Sequence, residues 1–166
     1  MFVGAYTALA GGSVPRPTVA RILVVRSESN ADWRPVGNIS VKFSDGHREI
    51  WTTKGHCLLP KVSKSGLVGW THAIEQHSRG GWMNQELRIA RDGRIIGRFH
   101  ADRAFVDLWD FTDNDTCVVV RGINEYGPYW IQKYRIATGE LVAEGSGNNH
   151  VPEWAKPYAD ETQSGD

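Results

Sequence analysis

Cysteine is scarce in this chain: 166 residues carry only Cys57 and Cys117. Two cysteines make no disulfide framework, so an apolar core must hold the fold. They read as separate thiols packed as small apolar groups, with pairing open to them in an oxidising compartment. No Cys-x-x-Cys or His-x-x-x-His spacing occurs, which removes the usual zinc signatures. A nucleophile-elbow Gly-x-Ser-x-Gly, a phosphate-binding Gly-x-x-x-x-Gly-Lys and a dinucleotide fingerprint are missing as well. No segment approaches the roughly 18 to 20 consecutive apolar residues that cross a bilayer as a helix. Net charge is also lacking, with 19 basic against 19 acidic side chains. A neutral surface is a poor match for nucleic acid or an acidic membrane. The expectation is therefore no catalytic residue, no metal, no cofactor, no nucleic-acid partner and no membrane insertion.

Tryptophan and glycine are plentiful, with 7 and 18 residues, and 40% of the chain is apolar against 23% charged. That balance fits one soluble globular domain, and the glycines suit an all-β protein with many turns. Residues 1–13 read as an N-terminal tail. Ala8-Leu9-Ala10 before Gly11 has the form of a signal cleavage site, but a basic leading segment is missing. An ordinary terminus is the first reading and a shortened secretory signal the second, so the compartment stays open between cytoplasm and export. Residues 151–166 read as a C-terminal tail with Pro152 and Pro157, which Trp154 and Tyr158 could dock onto the body. Only the stretch from Glu153 hints at a helix.

A repeat organises the rest. Ser40-Val41-Lys42-Phe43 returns 47 residues later as Leu87-Arg88-Ile89-Ala90 and 47 later again as Tyr134-Arg135-Ile136-Ala137. Each copy runs into a turn: Ser44-Asp45-Gly46, Arg91-Asp92-Gly93 and Thr138-Gly139. A second short segment follows each turn. This is a hairpin repeated at a period typical of stacked β units. The apolar run Val19–Val25 has strand length and is expected to pair with the first hairpin. The second unit adds strands around Leu58–Ser63 and Leu67–Ile74, and the third adds Val106–Thr112 and Cys117–Val120. The expected fold is all-β: three repeated antiparallel four-stranded units, near 14–56, 57–103 and 104–150. In the first unit the opening strand falls on Gly12–Pro17, where two prolines oppose a central strand.

Pro60-Lys61-Val62-Ser63-Lys64-Ser65-Gly66-Leu67-Val68-Gly69-Trp70 and Trp109-Asp110-Phe111-Thr112-Asp113-Asn114-Asp115, the latter leading into Cys117-Val118-Val119-Val120, resemble blades of the TolB-type and WD-type β-propeller superfamilies. Tyr134–Val142 is similar to their closing hairpin. The resemblance spans residues 19 to 148 and implies a propeller-like fold, with little said of activity. A strict WD repeat is not matched, since no Gly-His and Trp-Asp pair marks each unit. Propellers typically close with about four to eight blades. Three units therefore imply two chains that complete a six-unit ring, tails that cap an open stack, or a different all-β shape such as an irregular β-sandwich.

Candidate chemistry is thin. His72, Glu75 and His77 sit close in sequence, but a strand points His72 and His77 to opposite faces. Histidines are expected at the surface or in turns. Asp107, Asp110, Asp113 and Asp115 cluster as solvated turn acids, with calcium binding and hydrolysis as sharper alternatives. Asp45 and Asp92 precede Gly in hairpin turns and stabilise the turn itself. Most of Trp33, Trp70, Trp82, Trp109, Tyr126, Tyr129 and Trp130 are expected between sheets. The loops Glu75–Trp82 and Arg121–Trp130 hold equivalent places in their units and are expected to open on one face. Arg79, Trp82, Asn124, Glu125, Tyr126 and Tyr129 are thus the candidate partner-binding residues, since aromatic and Arg side chains supply most hot-spot energy. The expected function is a non-enzymatic binding module for a protein partner. A glycan-binding module and a hydrolase using the Asp cluster are the alternatives.

Overall fold

The computed structural model describes residues 17–26, 36–76, 82–100, 105–123, 129–147 and 151–159. Among them are three antiparallel sheets. The first has the order β1-β2-β3, from β1 (Val19–Arg26), β2 (Val36–Phe43) and β3 (Arg48–Lys54). The second runs β4 (His56–Val62), β5 (Val68–Gln76), β6 (Trp82–Arg91) and β7 (Arg94–His100) in chain order. The third does the same with β8 (Phe105–Thr112), β9 (Cys117–Ile123), β10 (Tyr129–Arg135) and β11 (Leu141–Ser146). A 3-10 helix, Glu153–Tyr158, follows. The protein is all-β, with repeated meanders. Four strands per unit is correct for the second and third sheets; the first has three among the described residues. Its expected opening strand begins before residue 17, outside them.

Local chemistry explains the hairpins. Between β6 and β7, Asp92 and Gly93 have φ of 49° and 74°. Both central residues of a two-residue turn are then left-handed, the geometry that suits right-twisted strands and selects Asp-Gly. The β2–β3 turn is one residue longer, with Gly46 at φ 92° and its N–H donating to the Phe43 carbonyl.

The sheets stack face to face. Ile39, Val41 and Phe43 of β2 pack on Cys57, Val68, Trp70 and Ala90 of the second sheet. The opposite face of that sheet presents Leu87, Ile89 and Phe99 to Val106, Trp109, Val118, Val120 and Ile136 of the third. Burying each such large side chain stabilises by about 1.5–3 kcal/mol. Trp109 also donates its indole N–H to the Leu59 carbonyl at 2.9 Å. The outward face of the third sheet, around Val119 and Ile131, is covered by Ala155 and Ala159 with Val151, Trp154 and Tyr158 beside them. The C-terminal segment therefore acts as a fourth layer.

The sequence period and the packing period differ by one. At 47 residues, Val41 aligns with Arg88, yet Val41 faces the second sheet while Arg88, paired with Trp70, faces back to the first. At 46 residues, Val41, Leu87 and Lys133 each face the layer that follows. β6 alternates faces without a break from Leu87 to Ala90 and reaches its turn one residue later than β2 does; the extra residue of the bulge opposite Ile89 and Ala90 is Ile96, on β7 after the turn. A one-residue slip moves every side chain to the other face, so turns and faces keep different spacings.

Candidate functional site

The two ends of the stack differ. At one end the β4–β5 and β8–β9 turns lie side by side, because the Ser65 N–H donates to Asp115 Oδ2 at 2.6 Å. The β5–β6 and β9–β10 connections, residues 77–81 and 124–128, leave from the opposite ends of the neighbouring strands. The equivalent loops singled out from the sequence thus depart from the same end. Arg79, Asn124, Glu125 and Tyr126 lie outside the described residues. Trp82 opens β6, but only its backbone is described. Tyr129 opens β10 and is half-buried. It packs with the layer that contains Val151 and Trp154, and its ring leaves no room for a side chain at Gly147. The Arg121 guanidinium stands 5.8 Å from the Tyr129 ring centre. Tyr129 is therefore at least partly a packing residue.

Below this loop end lie two polar groups that the sequence reading missed. In the second sheet, Cys57, His72, Glu86 and His100 form one cross-strand row on β4, β5, β6 and β7. His72 is not a surface histidine: it is 2% exposed, and neither Nδ1 nor Nε2 has a hydrogen-bond partner. Strand alternation turns it toward the first sheet, where its ring fills the space beside Gly55. Burial, helped by the Arg88 charge, pushes its pKa down to about 4, while Glu86 opposes the shift. Glu86 is bonded to Arg88 and lies 3.2 Å from His100 Nε2. The Cys57 thiol contacts Thr53 Oγ1 at 3.1 Å, and burial raises its pKa. Thiol, imidazole and carboxylate are adjacent, as in a nucleophilic row. The imidazole bonds neither neighbour, and the thiol is held protonated and shielded. This arrangement is not poised for attack.

In the third sheet, Arg121 has a side chain only 5% exposed. Its Nε and Nη2 bind Asp107 at 2.7–3.1 Å, and Nη1 donates to the Tyr158 carbonyl at 2.7 Å. The fork satisfies a buried cation and locks the C-terminal layer to the sheet. A bulge between Val106 and Leu108 brings Asp107 to that outward face.

The Asp cluster disperses. Asp107 pairs with Arg121, Asp110 with Lys61 at 3.2 Å and Asp113 with Lys133 at 2.7 Å. The Lys133 ammonium holds the Asp113 carboxyl below its ordinary pKa. Partial burial would raise that of Asp115, but the hydrogen bonds from Ser65 bring it down. Among the described residues no three His, Cys, Asp or Glu side chains gather to hold a metal ion. Cys57 and Cys117 are both buried and free. Trp70 and Trp109 lie between sheets.

No protein-family model matches the chain, and no curated protein resembles it in sequence.

Proposed function

We propose that this chain is a non-enzymatic binding module, built of propeller-like stacked units, that recognises a protein partner at the end carrying loops 77–81 and 124–128. What supports the reading is the Ser65–Asp115 bond, which aligns the opposite turns of two sheets, so that β5 and β9 end and β6 and β10 begin at one common end. Those loops hold Arg79, Asn124, Glu125 and Tyr126, with Trp82 at the foot of one and Tyr129 at the foot of the other. Arg and Tyr are residue types that dominate binding energy. Stacked sheets beneath supply a rigid base, the usual setting for binding loops. The TolB-type and WD-type likeness agrees with a scaffold whose loops carry the task. The dispersed aspartates give the hydrolase reading no support, since glycoside hydrolysis needs two carboxyl groups facing one bond.

The test is a side-by-side screen of the immobilised protein against a displayed library of protein fragments and against a glycan array. Protein fragments that lose binding on Arg79→Ala with Tyr126→Ala are the expected result. Glycan signals that depend on the same residues, with no such fragments, would move the assignment to a lectin-like module.

A further inference from the structure

In the second sheet Arg88 of β6 is directly opposite Arg98 of β7, and Glu86 directly opposite His100. Trp70 and Ala90 pack toward the first sheet, and strand alternation turns Arg88, Glu86, Arg98 and His100 to that same side. Burial on this face stops at β6. The side chains of Glu86 and Arg88 are 9% and 12% exposed, those of Arg98 and His100 56% and 62%. The first sheet therefore roofs β6 and leaves β7 as an open ledge beside a buried wall.

Among the described residues, Glu86 is the one carboxylate within ion-pair distance of Arg88, Arg98 and His100. It bonds Arg88 Nε and lies 3.2 Å from His100 Nε2. Arg98 Nη1 stands 4.0 Å away, beyond hydrogen-bond reach, so its donors are open to a ligand. The other described carboxylate facing this gap, Glu49 of β3, reaches the Trp51 indole and His47 rather than the ledge. Two guanidiniums against one carboxylate leave one positive charge, before any proton on His100. Like charges directly opposite on a ladder destabilise it, and one shared carboxylate offsets only part of that. His72, next to Glu86 in the row, feels the surplus. Burial comes first in keeping a proton off it; Arg88 comes second, ahead of the opposing Glu86, and Arg98 and His56 act with Arg88. The local potential is positive despite the carboxylate.

We propose that Arg88, Arg98 and His100 form a binding site for a phosphate monoester, with Glu86 as the floor that orients Arg88. A phosphate monoester offers three acceptor oxygens, enough for two guanidinium forks and an imidazole together. A carboxylate has two oxygens and is filled by one fork. Charge agrees as well: the monoester carries about −1.5 to −2 at pH 7 and meets a cluster with a positive surplus. Exposed Arg98 and His100 admit the ligand, and the buried Glu86–Arg88 pair fixes the far side of the site. Small molecules and phosphorylated side chains both carry such a group, and the site reads what they share. A nucleic-acid backbone is a chain of diesters that calls for a run of cations, whereas this ledge holds a single cluster. The inference needs no protein partner and does not rest on the function proposed for loops 77–81 and 124–128.

The probe is phenyl phosphate, titrated into the full chain at about 50 mM salt and followed through backbone amide NMR shifts. Benzoate and methyl phenyl phosphate, a diester, are the controls. Phenyl phosphate is expected to bind with a Kd of about 1 mM or tighter, and more tightly than either control. Arg98→Ala is expected to weaken it at least about tenfold and His100→Ala about threefold. Both side chains are more than half exposed, so thermal unfolding at the wild-type temperature verifies that the variants are folded. Arg94→Ala, at the exposed other end of β7, is expected to leave binding unchanged. A phosphoserine peptide that binds at least about tenfold tighter than phenyl phosphate, with its unphosphorylated form silent, points to a partner's side chain as the source. Equal affinity of the two points to a small ester, and either result upholds the site. No binding, benzoate or the diester bound as tightly, or indifference to Arg98→Ala overturns the proposal. So does a short DNA duplex that binds more tightly and loses binding with Arg98→Ala.

Discussion

At the residue scale, His72 is the most telling side chain. An imidazole between two sheets, with both nitrogens unpartnered, is tolerated only in its neutral form. Its folded pKa of about 4 lies below the unfolded value of 6.5. Between those values the unfolded chain binds a proton that the folded chain refuses, so stability falls as the pH drops from 6.5 toward 4 and the loss is complete below the folded value. At pH 5 the loss from this group alone is about 2 kcal/mol. Urea unfolding at pH 7 and pH 5 measures it. His72→Leu is expected to flatten that acid limb without lowering stability at pH 7, since it removes two buried polar atoms that make no bond. A wild-type limb as flat as the variant's would refute the assignment. The thiols give a second residue-scale outcome. Native protein is expected to leave Cys57 and Cys117 unmodified by a thiol reagent, and urea to expose both, because both are buried. Rapid labelling of either in the native state would contradict this.

At the element scale, two changes separate packing from docking. Gly69 lies in β5 where a Cβ would collide with the Trp109 ring and Ile89 Cδ1. Gly69→Ala is expected to cost about 1–3 kcal/mol through forced repacking, read from the urea midpoint. Arg121→Ala leaves Asp107 unpaired and removes the bond to Tyr158. It is expected to cost about 3 kcal/mol and to raise amide exchange in residues 151–159 before the rest of the chain. Uniform loss of protection would instead show that the C-terminal layer is not a separate unit.

The elements themselves were legible in the sequence, because a two-residue alternation ending in Asp92-Gly93 has few other readings. β1 pairs with β2 as its run of apolar residues suggests. Facing was not legible. The bulge opposite Ile89 and Ala90 leaves no mark on composition, yet its extra residue, Ile96, sets Ile95 beside Ala90 and Gly97 beside Ile89 on opposite faces of the sheet. Nor was the burial of His72: only its pairing opposite Cys57 and Glu86 places it between sheets. The Arg121 fork depends on a carbonyl from residue Tyr158, 37 positions away, which no local pattern encodes. Its single sequence cue is a lone Arg after the buried run Cys117–Val120.

At the scale of the whole molecule, stacked sheets raise the question of their ends. The third sheet is covered by the chain's own residues 151–159, so a head-to-tail ring would have to displace them. Pairing of two first sheets about a two-fold axis would set Lys42 and Arg48 against their own copies. Both routes are disfavoured by charge or by occupancy, and light scattering near micromolar concentration is expected to return a monomer of 18.5 kDa. A stable dimer that dissociates on Ile50→Glu would place the first sheet at an interface and overturn that expectation.

The function we propose puts binding at the loop end, with the stacked sheets as its base. Isothermal titration of one selected protein fragment against three proteins tests it most directly: wild type, Arg79→Ala with Tyr126→Ala, and Lys64→Ala at the opposite end. The account predicts that the loop variant loses at least about 2 kcal/mol of binding while the turn variant matches wild type. Equal affinity for all three, or a loss confined to Lys64→Ala, would contradict it.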